Sequence, residues 1–139
     1  MHTVVERKLQ ASLVLSPELV VPVPARLSYR TADPYAACIT FHVDSISPVT
    51  WTFARELLAA GVFRAAGEGD VRVWPGRTGG RAVVCMALSS PLGEALVTLP
   101  AAAVSGWLEL TMRMVPPGAE RDRLDLDTSL RELLTPEAQ

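Results

Sequence analysis

Asparagine is absent from this 139-residue chain, and Lys8 is the only lysine among its 13 basic residues. Both point to GC-rich coding, which hints at lineage and says nothing of mechanism. Two histidines and two cysteines leave little for a metal centre. Cys38 and Cys85 lie in separate strand-like runs, without the close spacing of a zinc knuckle or redox pair, and read as buried thiols. No apolar run is long enough to span a bilayer, and the opening MHTVVERKLQ lacks the basic start and long apolar stretch of a signal peptide. A cytoplasmic location without membrane insertion is expected. A net charge of -2 gives no broad attraction to nucleic acid or to an anionic surface.

Catalytic sets are equally scarce. His42 stands near Asp44 and Ser45, but neighbours on a strand point to opposite faces and nothing orients the imidazole. Asp122, Asp125 and Asp127 resemble calcium ligands only until the interleaved Arg123, Leu124 and Leu126 and the missing loop glycine are considered. Helix capping accounts for them better. The segments 67–69 and 76–80 are glycine-rich, yet no lysine or helix start follows, so they read as hairpin turns and not phosphate loops. No catalytic residue, cofactor or metal ligand is assigned.

Hydrophobic residues make up 49% of the chain and charged residues 20%, enough apolar surface to offset the entropy of ordering in one domain, 1–139. Its most regular stretch is DVRVWPGRTGGRAVVCMALSSPLGEALVTL, from Asp70 to Leu99. Val71 and Val73 alternate with Arg72 and Trp74; the run Val83 to Leu88 reads as a strand at the sheet centre; Ala95, Val97 and Leu99 alternate after a turn at Ser89 to Gly93. Alternation also predicts strands over Val5 to Leu15, Arg26 to Arg30, Cys38 to Val43 and Val49 to Phe53. Pro17, Pro22 and Pro24 bracket a connector on an edge or surface. The fold class is α+β, mainly antiparallel β, with about seven strands in a barrel-like or two-sheet arrangement and two to three helices.

The first helix covers Ala54 to Ala59, with Gly61 as a left-handed C-terminal cap. The second opens at Pro100 and ends before Pro116. Its apolar arc, from Val104 through Trp107, Leu108, Met112 and Val115 and widened by Leu110 and Met114, exceeds what one sheet face covers. Part of it, at Trp107, Leu110 and Met114, is therefore expected to pack on another subunit. Pro116 to Arg123 reads as an exposed charged loop, and a last helix carries Leu126, Leu130, Leu133 and Leu134 with Asp127 as its N-cap. Arg72, Trp74, Arg77 and Arg81 raise an alternative function, since arginine beside an aromatic ring on a sheet face suits single-stranded nucleic acid. The slightly acidic chain favours arginine packed over tryptophan on a solvated face, and no nucleic-acid partner is expected.

Taken together, TADPYA (Thr31 to Ala36), WTFARELLAAG (Trp51 to Gly61), GDVRVWP (Gly69 to Pro75), ALSSPLGEAL (Ala87 to Leu96), VPPG (Val115 to Gly118) and LDLD (Leu124 to Asp127) resemble the SsgA-like proteins of actinomycetes, in the right order over nearly the whole chain. The resemblance implies a non-catalytic role in sporulation-linked cell division: marking septum sites and recruiting the tubulin-like division protein FtsZ, with other SsgA-like proteins as helpers. It also implies a homotrimer and a fold similar to the Whirly single-stranded nucleic-acid binders. Leu92 stands where the resemblance leads one to expect an acidic residue. Loops on a rigid scaffold usually meet partners, which makes Ser90, Leu92, Gly118, Glu120 and Arg121 the candidate contacts.

Overall fold

The computed structural model describes residues 2–124. Four strands, β1 (Val4–Ser16), β2 (Leu19–Arg30), β3 (Ala36–Phe41) and β4 (Val49–Ala54), form one antiparallel meander. Three more, β5 (Val71–Thr78), β6 (Arg81–Ser90) and β7 (Gly93–Pro100), form a second. The two are joined where Ser12 and Leu13 of β1 pair with Thr98 and Val97 of β7, giving a single seven-stranded sheet in the order β4-β3-β2-β1-β7-β6-β5. The alternation works as read: Leu27, Ile39, Val73, Val84, Met86 and Leu99 are fully buried on one face, while Lys8, Gln10 and Arg72 on the other are exposed.

The sheet curls strongly, because Val49 and Trp51 of β4 line the same small cavity as Leu88 of β6, five strands away in the order. Helix α1 (Arg55–Gly61) follows β4 without a break and packs on β5, so a helix sits between the two edge strands. Seven residues are too few for a helix to persist alone. Tertiary contacts hold it: Leu58 is fully buried, and the Arg55 N–H donates to the Tyr35 carbonyl at 2.8 Å. Helix α2 (Ala101–Met114) lies over β1, β6 and β7. Trp107 is its anchor, fully buried, with Nε1 donating to the Val5 carbonyl at 2.9 Å.

Several expectations need correction. Pro22 and Pro24 belong to β2, opposite Ser12 and Gln10 of β1. They are tolerated because β3 pairs with β2 only from Ala25 onward, so no second ladder needs their missing N–H groups. The run Val83 to Leu88 is not the sheet centre; β6 lies next to an edge, and Val83 and Cys85 are only half-buried. Strand β3 stops at Phe41, and His42 turns the chain with a φ of 58°. Both cysteines are free and half-buried, not fully enclosed.

Gly61 does not cap α1 with a positive φ. It lies inside the helix, where a Cβ would come within 2.2 Å of Val73 Cγ1, so it is glycine because α1 presses on β5. Pro100 ends β7 and precedes α2 by one residue. The charged segment read as a loop is helical over 120–124. The N-cap expected at Asp127 and the leucines after it lie outside the described residues.

Candidate interaction surfaces

The apolar arc of α2 divides into three. Its middle, with Val104, Trp107 and Thr111, faces the sheet and is buried. One flank, with Leu108 and Met112, lines a cleft of about 420 Å³ against Ala59, Val62 and Phe63. The other flank leaves Leu110 44% and Met114 42% exposed. Of the three residues expected at a subunit interface, Trp107 is consumed by the chain's own core, and only Leu110 and Met114 present side chains to a second copy. The arc was wide because two packing jobs within the chain share it.

Past α2 the chain turns through Pro116, Pro117 and Gly118. Gly118 has a φ of 89° and open space around it, so backbone conformation and not crowding requires glycine there. Glu120, expected to meet partners, instead turns inward. Its Oε2 accepts from Arg55 Nη2 at 2.8 Å, and its Oε1 accepts from the Gly118 N–H at 2.9 Å. Arg55 is buried, donates through Nη1 to the Thr111 carbonyl at 3.0 Å, and lies over the Tyr29 ring at 4.8 Å. Burial would raise the Glu120 carboxyl, but the Arg55 hydrogen bond, backbone N–H groups and the guanidinium charge outweigh it and hold the group below its ordinary value. Burial pushes the Tyr29 phenol up against the pull of Arg55. This node fixes the 115–120 turn to α1, and of the three loop residues named from sequence, Gly118 and Arg121 remain on the surface.

Sequence reading missed Arg55. Its partners lie 56 and 65 residues away, and it follows a strand in a segment that reads as ordinary helix. The available signal was a lone arginine at the first helical position, where an acid is the usual choice.

The turn between β6 and β7 presents Leu92 almost fully to solvent, while its N–H bonds to Ser90 Oγ at 3.2 Å. Of the four residues of the alternative nucleic-acid face, strand register puts Arg72 and Trp74 of β5 and Arg81 of β6 on one side of the ribbon. Arg72 and Trp74 share a groove with Glu68. Arg81 lines a different depression, with Gln10, Ser12 and Thr98. Arg77 pairs with Ala82, on the opposite side of the ribbon from Trp74, and donates to the Gly80 carbonyl at its own hairpin tip. Cys85, opposite Trp74, has its thiol pushed up by burial and stays protonated.

The family profile described as SsgA, Streptomyces sporulation and cell division protein, matches residues 23–120. The chain belongs to the SsgA family. It is 52% identical over 134 residues to the sporulation-specific cell division protein SsgB of Streptomyces coelicolor, covering 96% of this chain and 98% of that protein. Identity to the SsgB of Thermobifida fusca is 45% over 123 residues, 88% of this chain and 89% of that one. Two solved SsgA-family structures superpose closely. An S. coelicolor SsgB structure, from work on mutations that correlate with longitudinal cell division during sporulation, has a TM-score of 0.85 at 53% identity and covers 88% of this chain and 97% of its own. The T. fusca SsgA-like sporulation-specific cell division protein has a TM-score of 0.86 at 42% identity, covering 95% and 96%. SsgA-family membership supports a role in sporulation-linked cell division.

Proposed function

We propose that this chain is a non-enzymatic organiser of sporulation septa, which assembles as a homotrimer and brings FtsZ to the division site together with other SsgA-like proteins. It works from the cytoplasm at the septum, near the membrane through its partners. The observation that supports this most is the near full-length match to SsgB, with 52% identity and coverage of 98% of that relative. A recruiter needs patches held at fixed spacing on a stiff body. The curled sheet provides the body, and the Leu110–Met114 flank offers a contact for self-association.

The test is a pull-down from sporulating cells with the tagged chain, comparing wild type with the double variant Leu110→Glu/Met114→Glu. Wild type is expected to retain FtsZ and run as a trimer under native-mass conditions; the variant, still folded, should run smaller and retain less. A folded wild type that retains no FtsZ overturns the recruiting role.

A further inference from the structure

Among the described residues, the helices α1 and α2 cover only one end of the buried sheet face. Trp107 reaches the Val5 end of β1, and α1 sits against the end of β4 at Ala54. At the other end the same face runs on through Leu13, Phe41, Trp51 and Val97, which line an apolar cavity of about 180 Å³ that no described element closes. Three connections surround it: the β1–β2 hairpin, the β3–β4 loop and the β6–β7 turn. Each exposes aliphatic side chains. Leu19 and Val21 are 53% and 37% exposed, Ile46 and Val49 102% and 47%, and Leu92 99%. Among the described residues, most of the exposed large hydrophobics lie on these three connections, around the one cavity that Val49 also lines.

Charge at this end has one sign. The hairpin carries Glu18, the β3–β4 loop Asp44, and the start of β7 Glu94, all exposed. No lysine or arginine occurs within 9–25, 31–54 or 82–112, the segments that build the rim. We infer that this end of the sheet is a docking groove for an apolar segment flanked by lysine or arginine on a partner protein. The inference deepens, and rests on, the recruiting role proposed above by naming a surface and the chemistry of what it takes.

The acids decide between occupants. Residues 125–139 of this chain contain Asp125, Asp127, Glu132 and Glu137 against Arg131 alone, so their charge opposes the rim. A second copy presenting the same end would bring like charges together. An anionic bilayer is repelled for the same reason. A cationic, apolar peptide satisfies both features: aliphatic side chains enter the groove and flanking cations meet Glu18, Asp44 and Glu94.

The experiment titrates the full chain into a fluorescein-labelled dodecapeptide of alternating leucine and lysine, followed by anisotropy. A matched leucine–glutamate peptide and phosphatidylglycerol vesicles are the controls. Two double variants are compared, Ile46→Ser/Leu92→Ser and Glu18→Lys/Glu94→Lys; all four side chains are exposed, and thermal melts unchanged from wild type confirm intact folding. Binding of the leucine–lysine peptide should weaken about tenfold in each variant, and more at high salt than at low for wild type. Equal affinity in wild type and both variants, equal binding of the leucine–glutamate peptide, binding of the vesicles, or a change confined to oligomeric state overturns the groove. The assay contains no division protein, so its failure removes this surface alone, whereas failure of wild-type FtsZ capture removes the recruiting role.

Discussion

Arg55 ties together segments that the chain separates widely: Tyr29 on β2, the last turn of α2 and Glu120. It is the one charged side chain among the described residues that is fully buried. Removing its partner leaves that charge uncompensated, so Glu120→Ala should cost about 3–5 kcal/mol, read as a lowered urea midpoint. Glu120→Gln keeps an acceptor for the guanidinium and should cost less. Since the Glu120 carboxyl is held below its ordinary value of 4.5, its contribution is present in full above that value and is lost as pH falls through the lower folded-state value. Urea midpoints measured between neutral and acid pH should therefore drop more steeply at the acid end in wild type than in Glu120→Gln. None of this was legible in the sequence, where Glu120 and Arg121 looked like equal members of a charged loop. Which of two adjacent charges turns inward depends on a guanidinium 65 residues upstream.

At the scale of elements, strands declared themselves and their neighbours did not. Period-two alternation locates β1 and β7 to within about two residues, because each has one buried and one wet face, and an unbroken apolar run marks β6; β5 runs on to Thr78, past the Pro75 and Gly76 that read as the start of its turn. Strand β2 was cut short because prolines ordinarily break ladders; here they occupy the stretch that β3 does not reach. The two glycines that close helical segments differ in kind, and substitution separates them. Gly61→Ala drives a Cβ into Val73 and should destabilise by about 1–3 kcal/mol through overpacking. Gly118→Ala meets no atoms and should cost about 1–2 kcal/mol from the left-handed backbone alone. Equal denaturation midpoints for wild type and Gly61→Ala would contradict the close α1–β5 contact. For α2, the sequence showed an apolar arc too wide for one partner but not how it is shared. Trp107 went to the core and Leu110 with Met114 stayed outside.

For the whole molecule, periodicity and composition led to the mainly antiparallel α+β class, and the exposed patches could not be found without tertiary structure. Leu92 lies in a short turn, Ile46 in a polar loop and Leu19 two residues after a proline; only the fold brings these connections to one rim. The division-related role came from the resemblance carried by motifs such as WTFARELLAAG and GDVRVWP, not from periodicity. Of the arginines of β5 and β6 that suit a nucleic-acid face, Arg77 lies on the opposite side of the ribbon from Trp74, and Arg72 shares its groove with Glu68, in a chain whose net charge is -2. Labelled single-stranded DNA at low salt should accordingly bind weakly, with Trp74→Ala changing little.

The central claim is that this chain acts through its exterior to organise septation. The most direct measurement places a fluorescent fusion of the chain in sporulating S. coelicolor lacking its own SsgB and images it with FtsZ. The account predicts regular ladders in which the fusion and FtsZ coincide, with sporulation septa restored. A folded, stably expressed fusion that stays diffuse while FtsZ forms no ladders would contradict it.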